Sequence, residues 1–159
     1  MEIVFRHVAR AVIPYQGKIL IAQLIDAHSF LPGGGVEQGE SCESALKREL
    51  YEELGIAEIK VTSFIGVMED SREENGTIYH SISHVFEVLI KDEELSKHVP
   101  TPVSRESHLR FYWLEPSKEE LSRHKVLSRS VPELISAYYL TKRPHWFTDM
   151  QHLASKNRL

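Results

Sequence analysis

The sequence predicts an α/β fold, and three observations predict it. Apolar, β-branched runs recur at residues 3–13, 18–25, 58–68, 78–91 and 109–114, each bounded by turn-forming residues. Two segments, 41–54 and 130–140, place apolar residues at helical spacing and contain no interior glycine. The chain has 159 residues, 42% hydrophobic and 26% charged, which suits one globular domain that buries a core without staples.

Residues Ile3 to Ile13 read as the first strand, and Pro14-Tyr15-Gln16-Gly17 is a turn signal. Lys18 to Ile25 then reads as the hairpin partner of that strand. Arg6 and Arg10 fall on one strand face, where they either reach an anionic ligand or anchor a solvated surface. The short connection from Asp26 to Phe30 is expected near the ligand-facing end of the helix that follows, where His28 or Phe30 can touch a ligand. Pro32-Gly33-Gly34-Gly35 is a loop whose backbone can approach a ligand closely or present a carbonyl to a cation.

The segment from Ser41 to Leu54 carries every local helix signal. Ser41 is the N-cap, Glu43 lies in the first turn, and Gly55 stands where a left-handed residue ends the helix. Leu46, Leu50 and Leu54 form the apolar stripe, with Cys42 at its margin. Glu49, Glu52 and Glu53 are related as i, i+3 and i+4, so their carboxylates fall within an arc of roughly 100°. Like charges that close repel, and a hard divalent cation with oxygen ligands is the simplest remedy. Glu53 projects next to the apolar stripe and is expected to be the most desolvated; Glu52 is placed to pair with Arg48.

Glu58–Met68 and Ile78–Lys91 are the next strands, joined by a polar loop over Glu69–Thr77 with Asn75-Gly76 at its tight point. His80 and His84 share a face but lie about 13 Å apart along a strand, too far for one ion, and are expected to pack or hydrogen-bond instead. Asp92 to His108 is loop-like, with Pro100-Thr101-Pro102 breaking regular structure, and Leu109–Leu114 is a strand. Ser130 to Leu140 is the second helix, with Pro132 in its first turn and Leu134, Ile135, Tyr138 and Tyr139 as its buried face. It is expected on the side of the sheet opposite the first helix. Residues 1–140 form the domain; 141–159 form an extension whose Trp146, Phe147, Met150 and Leu153 are apolar enough to dock on the body or on a second subunit, as in a homodimer.

The segment from Gly34 to Ile56 resembles the Nudix box of the Nudix hydrolases at Gly34, Glu40, Arg48, Glu49, Leu50, Glu52, Glu53, Gly55 and Ile56. The resemblance implies an α/β/α sandwich with a mixed β-sheet between helices. It also implies hydrolysis of the pyrophosphate of a nucleoside diphosphate linked to a further group, assisted by Mg2+ or Mn2+. Carried onto this chain, the metal ligands are Glu49, Glu52 and Glu53, joined by Glu40 directly or through water and by the Gly34 carbonyl; Arg48 orients the carboxylates. The general base is expected in the order Glu53, Glu52, Glu106. Glu106 enters because such enzymes often draw a further carboxylate from a late loop; Glu93 and Glu94 are its competitors. Arg6, Arg10, His28 and Phe30 are the expected substrate contacts. The proline associated with ADP-ribose hydrolysis is missing, since none occurs between Gly55 and Pro100.

Composition limits the alternatives. A formal net charge of −4 argues against a protein that grips extended nucleic acid by neutralising many phosphates, and points to a small nucleotide or diphosphate as partner. The single cysteine, Cys42, excludes an internal disulfide, and no apolar run reaches membrane-spanning length, so a cytoplasmic protein is expected. Two rivals stand: a nucleotide-sensing domain without turnover, and hydrolysis of a non-nucleotide diphosphate or an RNA 5′ end.

Overall fold

The computed structural model describes residues 1–150 of the chain. Its longest early element, β1 (Glu2–Val12), is paired along both edges, parallel to β7 (Thr77–Leu89) and antiparallel to the short β5 (Gly33–Gly35). Between β1 and β5 come β2 (Pro14–Tyr15), β3 (Lys18–Leu24) and β4 (Ser29–Phe30). These begin a second sheet, in which β3 pairs with β2, β4 and β8 (Leu109–Leu114), and β4 pairs with β9 (Val126–Leu127). The hairpin expected between residues 3–13 and 18–25 is therefore corrected to the small ladder of β2 with β3. β1 has neighbours on both sides in the first sheet, and Pro14, which lacks an N–H, stands where the chain crosses into the second.

The helix α1 (Cys42–Leu54) follows β5, and β6 (Lys60–Glu74) runs antiparallel to β7. The polar segment 69–77 is thus not a loop. Both strands continue through it to a two-residue turn at Asn75-Gly76, whose φ values of 51° and 81° suit a tight hairpin. One face of this extension lines a cleft, which explains polar side chains on regular strands. The region after β7, expected to be loop, holds the short helix α2 (Asp92–Leu95) and a 3-10 turn at Ser96–His98. Beyond β8 come α3 (Lys118–Arg123), α4 (Val131–Thr141) and β10 (His145–Asp149), which pairs parallel with β6. The first sheet has the order β10-β6-β7-β1-β5, a mixed sheet.

Alternation along the strands divides the core. Ala9, Ala11, Leu20 and Ala22 pack with Leu46, Leu50 and Leu54 of α1. Their neighbours Val12, Ile19 and Ile21, with Met68 and Val85, pack with Leu134, Ile135 and Tyr138 of α4. The two helices thus cover opposite faces, giving the α/β/α sandwich. Among the described residues, no helix is long and apolar enough to cross a membrane.

The edge strand β10 depends on Gly66, which lies opposite His145 with φ +152°. A Cβ there would strike the His145 carbonyl and come within 2.8 Å of Leu134 Cδ1. Gly66→Ala is expected to lower unfolding stability by about 2–4 kcal/mol, measured by urea denaturation. Met150 follows this strand in the described chain, whereas Leu153 lies outside the described residues.

Candidate active site

The site is built on α1. Ser41 Oγ accepts the Ser44 N–H at 3.1 Å, and Gly55 closes the other end at φ 72°, its N–H reaching the Tyr51 carbonyl at 2.9 Å. With Leu46 and Leu50 fully buried, the helix cannot rotate without exposing its stripe, and this turns Glu49 and Glu53 toward β5. Gly34 on β5 lies directly against Glu49. An added Cβ would collide with that carboxylate, coming within 2.6 Å of its Cδ, so a larger residue here would displace the Glu49 side chain.

Arg48 ties the carboxylates together. Its Nε and Nη2 donate to the two oxygens of Glu40 at 2.8 and 2.9 Å, a bidentate fork. Nη1 donates to Glu49 Oε1 at 2.9 Å and lies 3.6 Å from Glu52 Oε2, while Nη2 also reaches the Gly35 carbonyl at 3.0 Å. The Arg48 fork and the Glu37 N–H, 3.0 Å from Glu40 Oε1, hold the Glu40 carboxyl down at about 2. Both Glu40 oxygens are therefore engaged in fixing Arg48.

Glu53 is in the opposite condition. It is 6% exposed, and its Oε2 has no hydrogen-bond partner among the described residues. Burial, and then the neighbouring Glu49 carboxylate, push its pKa up to about 8; Arg10 opposes the shift and Glu106 adds a smaller push. The Glu106 segment is fastened to the helix end, because the Arg105 N–H donates to the Glu53 carbonyl at 2.7 Å. Glu52, half exposed, remains at the solvent edge. Glu94 pairs with Lys97 at 2.9 Å on the α2 segment, and of the predicted carboxylates only Glu49 and Glu53 line the cleft; Glu52, Glu93, Glu94 and Glu106 do not.

That cleft, of about 510 Å³, brings together Arg6, Arg10, His28 and Phe30 with Gly34, Glu49 and Glu53. The Arg10 guanidinium lies 4.9 Å above the Phe30 ring and donates to the Leu31 carbonyl at 3.2 Å. Burial and the neighbouring Arg6 lower its pKa to about 10, so it stays cationic at neutral pH. Burial lowers the His28 pKa, with Arg72 and Arg10 adding to the effect. The far wall was not anticipated from sequence. Asp70 and Arg72 of β6 and Tyr79 of β7 line it, with Arg72 5.7 Å from the Tyr79 ring. The signal was present: Met68, Asp70 and Arg72 alternate onto one face once the strand is carried through to the Asn-Gly turn. Of the other aromatic candidates, Phe64 and Phe86 pack together at 5.5 Å, and the Tyr112 hydroxyl lies 2.7 Å from Ser29 Oγ.

The donors at the helix end suit a hard divalent cation. They are carboxylate oxygens in negative excess, one of them buried and unpartnered.

A family model described as the NUDIX domain matches residues 5–134, which include α1, the start of α4 and every strand but β10. The chain belongs to the Nudix family. Among solved structures, this Nudix chain is similar to the E. coli ORF135 protein, at 28% identity and a TM-score of 0.57 over 87% of this chain and 91% of that one. A NUDIX hydrolase from Nitrosomonas europaea aligns at 23% identity and a TM-score of 0.62, again over 87% and 91%. The MutT protein from Methanosarcina mazei Go1 aligns at 17% identity and a TM-score of 0.64, over 90% and 99%, a likeness of fold alone. Sequence relatives match more locally. The RNA pyrophosphohydrolase of Shewanella piezotolerans is 49% identical over 41 residues, 25% of this chain and 24% of that protein. That of Campylobacter jejuni subsp. doylei is 42% identical over 50 residues, 30% of this chain and 32% of that protein. The chain thus spans a quarter to a third of the length of these relatives.

The raised pKa of Glu53 gives the metal-free Nudix domain a pH signature. Its folded-state value lies above the unfolded value of 4.5, so the folded protein binds the proton more tightly. That stability is fully present below about pH 4 and is lost as pH rises through about 8. In EDTA, the melting temperature is expected to fall between pH 5 and pH 9, and Mg2+ is expected to restore more of it at pH 9 than at pH 5.

Proposed function

We propose that this Nudix protein is a divalent-metal-dependent hydrolase that cleaves the pyrophosphate linkage of a nucleoside diphosphate joined to a further group. The observation that carries the reading is the buried, unpartnered Glu53 Oε2 beside Glu49, in the lining of a cleft that also holds Arg6 and Arg10. A carboxylate pair costs stability where it stands, and a pair of arginines in the same cleft complements a polyphosphate.

Glu49, Glu52 and Glu53 are the residues that would hold the cation, with the Gly34 carbonyl beside them. Bound there, Mg2+ or Mn2+ would neutralise phosphate charge and make water more acidic. Glu53 takes the proton from the attacking water at its free oxygen; Glu52 and Glu106 are the alternates. Arg48, held by Glu40, fixes the orientation of Glu49 and Glu52, so Glu40 acts as a positioning residue. Arg6 and Arg10 bind the phosphates, and Phe30 offers its ring to the base with His28 at its edge. Water adds to one phosphorus as the bridging oxygen leaves with the other, giving two phosphate products.

Arg10→Met is expected to raise KM about tenfold or more with kcat little changed, because it removes a contact made equally in ground and transition states. Phe30→Leu is expected to raise KM less, by about threefold to tenfold. Steady-state kinetics on the best substrate checks both.

The relatives named RNA pyrophosphohydrolase favour a second reading, in which the cleft takes a 5′-triphosphorylated RNA end. The formal charge of −4 makes a small nucleotide the better first choice. The deciding experiment is product analysis on a panel of nucleoside triphosphates, dinucleoside polyphosphates, ADP-ribose, nucleotide sugars and 5′-triphosphorylated RNA. A small nucleotide should give the highest kcat/KM; a higher value on RNA would transfer the assignment to the second reading.

A further inference from the structure

On the face of the first sheet that α1 covers, three side chains from three elements meet. His7 Nε2 of β1 lies 2.9 Å from His84 Nδ1 of β7, and Cys42 Sγ, at the first turn of α1, lies 3.5 Å from the same Nε2. One ligand atom from each lies within 4.8 Å of the others, and all three residues are half-buried. None of them lines the cleft that holds Glu49 and Glu53.

The way these atoms converge distinguishes between uses. In a thiol–imidazole relay, the base turns one ring nitrogen to the sulfur and the other to the group that orients it. Here a single nitrogen of His7 lies against both partners, so the three ligand atoms are gathered within 4.8 Å of one another and not strung out in a relay. In a tetrahedral zinc site with Zn–N of about 2.0–2.1 Å and Zn–S of about 2.3 Å, adjacent N and S atoms stand about 3.5 Å apart and adjacent N atoms about 3.3 Å. The Cys42–His7 spacing already has that value. The two imidazoles need to open by only a few tenths of an ångström, a change that side-chain torsions supply.

We propose that His7, Cys42 and His84 form a zinc site, with three protein ligands and a fourth position open. The donor set is one sulfur and two imidazole nitrogens, which prefers Zn2+ to Mg2+ or Ca2+; the carboxylates at the other end of α1 have the reverse preference. The two sites are therefore chemically orthogonal. Binding displaces the Cys42 thiol proton to solvent and joins the metal to the thiolate, with no change of oxidation state. It would clamp the first residue of α1 to β1 and β7, seven residues before Glu49 on the same helix.

The test uses the full chain in excess Mg2+, which occupies the carboxylates, with Co2+ as a spectroscopic probe. One equivalent of Co2+ should produce a thiolate-to-metal charge-transfer band and intense tetrahedral d–d bands, both removed by one equivalent of Zn2+. The bands should vanish in Cys42→Ser and persist in Glu53→Gln. In wild-type protein, one equivalent of Zn2+ should slow alkylation of Cys42 by iodoacetamide at least tenfold, and His84→Gln should abolish that protection. A wild-type protein that gives no thiolate band and no protection from alkylation overturns the site, whatever the variants do. Protection that survives His84→Gln, or bands lost in Glu53→Gln, would place the ion elsewhere and overturn it as well.

Discussion

Glu53→Gln is expected to lower kcat about a thousandfold while leaving KM within a few-fold of wild type. The amide keeps the shape of the side chain, so the packing of α1 on Leu46 and Leu50 is undisturbed. It removes both a metal ligand and the oxygen that accepts a proton, and loss of a positioned general base alone costs about 10²–10⁴ in rate. The same substitution should raise the melting temperature of the metal-free protein at pH 8. There the wild-type chain is giving up the proton that reconciles Glu53 with burial and with Glu49. Activity and metal-free stability therefore move in opposite directions. Kinetics and thermal melts on one preparation test this, and a joint loss of both would show that Glu53 is merely a packing residue.

Arg48→Leu is expected to lower kcat/KM by about a hundredfold or more, and Arg48→Lys to recover little of it. The guanidinium serves Glu40 through two nitrogens, Glu49 through a third contact, and the Gly35 carbonyl as well. An ammonium group is one point charge and cannot reproduce the fork. Without it, Glu40, Glu49 and Glu52 lose the cation that fixes their geometry, and the helix loses its tie to β5. The distinguishing result is metal dependence: the variant should need more Mg2+ for half-maximal rate, since its carboxylates are no longer held in place. An unchanged metal requirement with lowered rate would mean that Arg48 acts on substrate instead.

The parts of this molecule that were legible in sequence are those whose causes are local. Ser41, the Leu46–Leu50–Leu54 stripe and Gly55 specify α1 within one segment, and the helical spacing of Glu49 and Glu53 fixes which carboxylate is buried. The structure brings Arg6, Arg10, His28 and Phe30 into the cleft of those carboxylates. What could not be read depends on distant pairing. Nothing near β1 says that its neighbour is β7 and not β3, and the turn signal at Pro14 to Gly17 fits either arrangement. The polar stretch 69–77 has loop composition because one of its faces lines a cleft, so composition concealed both strands and the Arg72–Tyr79 wall. His7, Cys42 and His84 meet only because a parallel β1–β7 pair is covered by α1, a juxtaposition no spacing along the chain encodes.

The most direct measurement of the central claim is paired turnover and binding on the wild-type chain, with nucleotide hydrolysis and nucleotide affinity followed together as Mg2+ or Mn2+ is titrated from EDTA. Hydrolysis that is absent in EDTA and rises with metal to saturation, yielding products of pyrophosphate cleavage, is the predicted result. Nucleotide that binds in the cleft and survives unhydrolysed at every metal concentration would contradict it and make this a sensing domain.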